Sequence, residues 1–191
     1  MKKLFMIALS VMTVLTVQAQ TKIGVKAGAN FATFEGSDVE DAKMRTSVNA
    51  GLFANFAFSE MLSLQPEVLY SGQGAKYTVL GTEITAKLDY INIPILLQFN
   101  ASGFYAEIGP QLGILMSSSV EAGSLSIATD DLYKSTDIGA GIGLGFKLDS
   151  GFGAGVRYTM GLTSIDDTAG DEADVKNAVI TVGLHYAFGG E

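Results

Sequence analysis

From residue 22 onward, apolar side chains recur at every second position in eight separate segments. Ile23, Val25, Ala27, Ala29 and Phe31 open the series, alternating with Lys22, Gly24, Lys26, Gly28 and Asn30. The same period runs through 48–58, 62–71, 90–99, 104–114, 137–147, 152–162 and 177–188. A period of two places successive side chains on opposite faces of a strand. Each segment has about ten residues or more, the length a tilted membrane-crossing strand needs. The spacers between segments alternate as well. Short turns fall at 59–61, 100–103 and 149–151, and longer connections at 32–47, 72–87, 117–135 and 163–176. Short turns at one end and longer loops at the other predict an all-β fold, an eight-stranded antiparallel up-and-down transmembrane β-barrel.

Alternation alone does not say which face meets lipid. A soluble, lipocalin-like ligand-binding barrel would turn the apolar face inward. Two features point the other way. The polar face is rich in glycine, with Gly139, Gly141, Gly143 and Gly145 at alternate positions. Eight strands enclose only enough space for side chains, so small residues suit the inside. The apolar face also ends in aromatics at the short-turn end: Phe58, Phe99, Phe104, Phe146, Phe152 and Phe188. That arrangement predicts an interfacial aromatic girdle. The last alternating segment, ending at Phe188, has the form of a terminal strand offered to the barrel-assembly machinery.

Residues 1–19 carry Lys2 and Lys3, then an apolar stretch over 4–17, then Ala19. This is the pattern of a secretory signal peptide, too short to span as a helix. The barrel domain is accordingly expected over 20–191, reached by export through the periplasm.

Composition narrows the chemistry. There is no cysteine and a single histidine, His185. Thiolate metal sites and disulfides are excluded, and histidine-based catalysis has little to work with. With 20 acidic and 12 basic residues, the net charge is −8. Nucleic-acid binding needs a basic footprint, so that partner class is not expected. No cofactor or metal site is expected. The glycine run over 139–155 has period two and lacks the spacing of a phosphate loop. The acidic residues Asp166, Asp167, Asp171, Glu172 and Asp174 lack the ligand order of a calcium loop and read as a solvated outer loop.

Seven ionisable residues fall on the polar, inward-facing positions: Lys26, Glu67, Glu107, Asp137, Lys147, Arg157 and His185. Buried charges are costly unless paired. Three cations against three carboxylates predict a balanced structural network, helped by Gln65, Gln98 and Gln111, that plugs the lumen. A polar channel, or a gate at His185, is the functional alternative. Pro66, Pro94 and Pro110 lie in three successive strands, where bulges are expected to absorb the missing N–H groups.

Several segments resemble the PorT-like, "porin family" outer-membrane β-barrel domain: GVKAGANF (24–31), LSLQPEVLYSGQGAK (62–76), LDYINIPILLQF (88–99), FYAEIGPQLGIL (104–115), DIGAGIGLGF (137–146) and RYTMGLTSI (157–165). The resemblance implies an OmpA/OmpX-type eight-stranded barrel in a Gram-negative outer membrane and marks no active site. The expected function is that of an integral, non-enzymatic barrel acting structurally or through its outer loops. A narrow porin for small solutes, or a PorT-like accessory of protein secretion, are the alternatives. Expected partners are outer-membrane lipid, lipopolysaccharide and the barrel-assembly machinery.

Overall fold

Every alternating segment forms a strand. In the computed structural model the described residues are 21–39, 41–79, 81–123, 125–129, 132–167 and 173–188. The expected signal peptide and its boundary at Gln20 lie outside them. The strands are β1 (Thr21–Glu35), β2 (Lys43–Ala57), β3 (Leu62–Val79), β4 (Thr82–Ala101), β5 (Phe104–Ala122), β6 (Leu125–Ala128), β7 (Thr136–Lys147), β8 (Phe152–Gly161) and β9 (Lys176–Phe188). Eight of them close an antiparallel ring in the order β1, β2, β3, β4, β5, β7, β8, β9. Closure is by β1 against β9, from Ile23↔Phe188 to Glu35↔Lys176. Among the described residues the ninth, β6, pairs only with the far end of β5.

The alternation fixes which face is which. On β7, Ile138, Ile142 and Leu144 are 49%, 58% and 63% exposed, while Asp137, Gly139, Gly141 and Gly143 between them are buried. The same holds around the ring, from Ile23 and Val25 to Val182 and Leu184. A continuous apolar exterior around a polar interior is stable only in a lipid surround, where the closed ladder satisfies every strand edge.

Two connections differ from the sequence reading. The alternation predicts a loop over 72–87; β3 and β4 instead run on as a long hairpin, paired from Gly72↔Asp89 to Val79↔Thr82. The stretch 117–135 likewise contains the end of β5 and the short β6. β3, β4 and β5 have 18, 20 and 19 residues against 10 in β8, so one wall of the barrel rises past the membrane on the loop side. Beyond the lipid the outward face is freed from the apolar requirement, and the sequence alternation fades while the ladder continues.

The prolines are not at bulges. The register slips occur elsewhere, between Met44 and Asn49 and between Asp89 and Tyr90. Each proline lies instead in a gap that keeps register. Pairing of β2 with β3 resumes in phase between Phe53↔Glu67 and Phe56↔Leu64, skipping Pro66. β3 and β4 skip Pro94 between Pro66↔Ile95 and Leu69↔Asn92, and β4 and β5 skip Pro110 between Pro94↔Gln111 and Leu97↔Ile108. A missing N–H removes a rung, and the flanking rungs hold the phase without an inserted residue.

At the loop end the interior becomes apolar. Phe34, Ala75, Ala86, Leu88, Tyr90 and Ile165 form a buried cluster, with Val39, Tyr133 and Val175 packed against it. The raised wall supplies Ala75, Ala86 and Leu88, and the long connections fold Ile165, Tyr133 and Val175 onto it. The backbone ties these connections together: Lys134 N–H donates to Ile165 O at 2.8 Å, and Ile165 N–H to Val175 O at 2.8 Å. The outer mouth is thus capped by a small hydrophobic core.

Candidate functional site: the barrel interior

The ring order places β3 opposite β8, and β1 opposite β5. Arg157, on β8, reaches across the lumen to Glu67 on β3. Its Nη1 donates to Glu67 Oε2 and its Nη2 to Glu67 Oε1, both at 2.8 Å. Its Nε donates to Glu107 Oε1 on β5 at 2.7 Å. Lys26, on β1, donates to Glu67 Oε1 at 3.3 Å. Gln65 and Gln98 complete the carboxylates, donating to Glu67 Oε1 at 2.8 Å and Glu107 Oε2 at 2.9 Å. Two cations and two carboxylates, all buried, therefore balance in one cluster. The planar guanidinium suits this place because its donors engage two carboxylates at once.

The other expected members of the network lie apart from it. Lys147 donates to Gln98 Oε1 at 2.6 Å and Asn100 Oδ1 at 3.1 Å, and its ammonium sits 4.7 Å from the centre of the Tyr105 ring. It meets amide and ring dipoles and, among the described residues, forms no ion pair. Asp137 lies toward the outer end and accepts from Asn177 Nδ2 at 2.9 Å. His185 packs edge-on between Phe53 and Tyr105, each 5.9 Å away. Gln111 is buried but gives no hydrogen bond to either carboxylate. The expected three-and-three balance is a two-and-two cluster because Lys147 and Asp137 stand at different heights in the lumen.

Several interior groups were not singled out by the sequence reading. An amide tier above the ion cluster links Asn30 to Ser71 at 2.9 Å, and Thr181 to Asn30 at 2.8 Å. Phe53, Leu69, Tyr90, Leu96 and Tyr105 fill inward positions. The inward glycines make room for them. A Cβ on Gly145 would lie 2.3 Å from Tyr105 Cζ, and one on Gly24 would lie 2.2 Å from Phe53 Cζ. The signal was present in the pattern: large inward residues occur where a neighbouring strand offers glycine. Beside Arg157 a space of only about 10 Å³ remains, among Asn49, Asn92, Gln111 and Thr181. That is room for about one water.

On the outside, the six phenylalanines from Phe58 to Phe188 are 37% to 64% exposed at the short-turn end, and Phe58, just past the end of β2, also borders the mouth of the lumen. Phe104 and Phe146 meet at 4.9 Å between ring centres. Tyr186, also facing outward, joins Phe152 at 4.6 Å and Phe188 at 5.3 Å. In the acidic loop, Asp174 pairs with Lys176 at 2.7 Å, while Asp171 and Glu172 lie outside the described residues. Among the described residues no group of three or more His, Cys, Asp or Glu is placed to hold a metal ion.

Residues 18–167 match the family model described as outer membrane protein beta-barrel domain. The chain belongs to this family. No curated protein matches the sequence. Among solved structures, the fold is similar to Neisserial surface protein A, with a TM-score of 0.58 and 16% identity over 87% of this chain and 97% of that one. It is also similar to Ail, the attachment invasion locus protein of Yersinia pestis, with a TM-score of 0.52 and 16% identity over 87% and 98% of the two chains. At such identity the likeness carries the fold alone. As a member of the family, the protein resides in the outer membrane of a Gram-negative bacterium.

Proposed function

We propose that this family member is a closed, non-enzymatic barrel, a structural element of the outer membrane whose specific contacts are made by its outer loops. The observation that carries this reading is the stacking of two plugs. The ion cluster of Arg157, Glu67, Glu107 and Lys26 spans the lumen at mid-height. The apolar cap around Leu88 and Ile165 fills the outer mouth. A solute would have to displace both. Histidine-dependent catalysis from the outer loops is disfavoured, because the chain's single histidine, His185, is held between Phe53 and Tyr105 near the opposite end.

The finer kinship to PorT-like sequences rests on six segments between residues 24 and 165. Lipid head groups are the partners suited to the Phe104–Phe146 and Phe152–Tyr186–Phe188 ring contacts, because aromatic rings favour the membrane interface. Liposome swelling tests the closed reading against a narrow porin. Proteoliposomes containing the folded chain should swell in an arabinose gradient no faster than empty vesicles. Swelling proportional to protein content would establish the porin instead.

A further inference from the structure

At the short-turn end the lumen opens into a cavity of about 550 Å³. Its walls combine Lys22 and Lys147 with the side-chain amides of Asn55 and Asn100, and with Phe53 and Phe58. Short turns face the periplasm in outer-membrane barrels, so this cavity opens inward to the cell. The volume lies within the range of small-ligand sites.

The charges around it are unbalanced. The ion cluster above it already neutralises itself, with Lys26 and Arg157 set against Glu67 and Glu107. Among the described residues neither Lys22 nor Lys147 forms an ion pair. Lys147 is half-buried, and its ammonium is met only by the amide oxygens of Gln98 and Asn100 and by the Tyr105 ring. A partly desolvated ammonium met by dipoles alone gains from an anion. Only Glu60, on the rim, brings a negative charge to the lining.

We infer that this periplasm-facing cavity is a binding site for a small carboxylate with a short apolar body, its carboxylate held by Lys147 and Lys22 and its apolar part against Phe53 and Phe58. The lining favours an organic carboxylate over inorganic phosphate. Beside its two ammonium groups and side-chain amides it presents the rings of Phe53 and Phe58, which an ion without an apolar body would leave uncovered. The site needs no passage through the barrel, so it stands whether or not the lumen conducts.

The test uses the folded full chain in lipid nanodiscs, followed by backbone amide NMR. The probe is N-acetyl-leucine, with its uncharged isostere N-acetyl-leucinamide and inorganic phosphate alongside. Saturable shifts are expected at Asn100, Gly151 and His185 with the carboxylate, and at least about tenfold weaker binding with the amide. Lys147→Gln should weaken carboxylate binding by a similar factor and Lys22→Gln by less, while Lys87→Gln at the outer end should leave it unchanged. Heat-dependent gel mobility reports whether each variant folds, and Lys22→Gln, at the rim, carries the test if Lys147→Gln does not. Equal binding of acid and amide, indifference to both lining substitutions, or tighter binding of phosphate would each overturn the assignment.

Discussion

Arg157 and Glu67 meet fork to fork across the full width of the barrel, from strands on opposite sides of the ring and 90 residues apart in sequence. The contact ties together two walls that share no backbone ladder. Removing Arg157 would leave two buried carboxylates facing each other with Lys26 alone between them. Losing one partner of a buried pair typically costs about 3–5 kcal/mol. Arg157→Leu should therefore lower the temperature at which the SDS-resistant folded band disappears on gels. Arg157→Lys, which keeps the charge and loses the fork, should fall between. An Arg157→Leu barrel that melts with the wild type would show that the bridge does not stabilise the fold.

Tyr105 and the glycines beneath it form a second coupled unit. Its hydroxyl and ring end lie over Gly145 and Gly155, where a Cβ would come within 2.3 Å and 2.5 Å of it. Gly145→Ala should destabilise by about 1–3 kcal/mol through overpacking. In a Tyr105→Leu background the same substitution should cost much less. The pair is then non-additive, and thermal melts of the four proteins in the cycle measure the coupling. Equal costs of Gly145→Ala in both backgrounds would dissociate the glycine from the ring.

The cap makes a prediction about the loops. Ile165 is fully buried against Phe34, Leu88 and Tyr90. Ile165→Ala should cost the cap about 2–4 kcal/mol. Its effect should appear as faster proteolysis within 132–135 and 163–167, with little change in the melting of the ring. Protease mapping on intact vesicles distinguishes this from a general loss of stability.

A pH-dependent clasp joins two outer loops. Asp38 accepts the backbone N–H of Asp174 at 2.8 Å and the Ser37 hydroxyl at 2.9 Å. Those bonds favour the charged carboxylate and hold its pKa below the ordinary 3.8, the backbone bond being the larger cause. A depressed pKa means the contribution is present above the unfolded value and fades as pH falls through the folded one. Protection of the Asp174 amide, relative to intrinsic exchange at the same pH, should accordingly be high at neutral pH and fall only below about pH 4. Asp38→Ala, which removes the acceptor, should be unprotected at both. Wild-type protection that is unchanged down to about pH 2 would remove the clasp.

Much of this architecture was legible in the alternation. Lipid on one side and a narrow polar lumen on the other force the period of two, so Ile138 to Phe146 could be assigned a face residue by residue. The same logic explains what was hidden. Past the membrane the outer face no longer has to be apolar, so Lys76, Thr78 and Thr85 read as loop although they sit in paired strands. Alternation also gives a side chain's face without its height or azimuth. It could place Lys147 and Asp137 inside, and could not show that one stops at an amide pair near the turns and the other at Asn177 near the cap. The prolines were visible as missing rungs, but whether a ladder bulges or merely skips depends on the neighbouring strands.

Single-channel recording in a planar bilayer tests the central claim most directly. With the lumen crossed by the Arg157–Glu67 bridge and its outer mouth filled by Leu88, Tyr90 and Ile165, the folded barrel should give no conductance steps in concentrated KCl. Reproducible, stable open-channel steps from the wild-type chain would contradict the account and make the interior a pore.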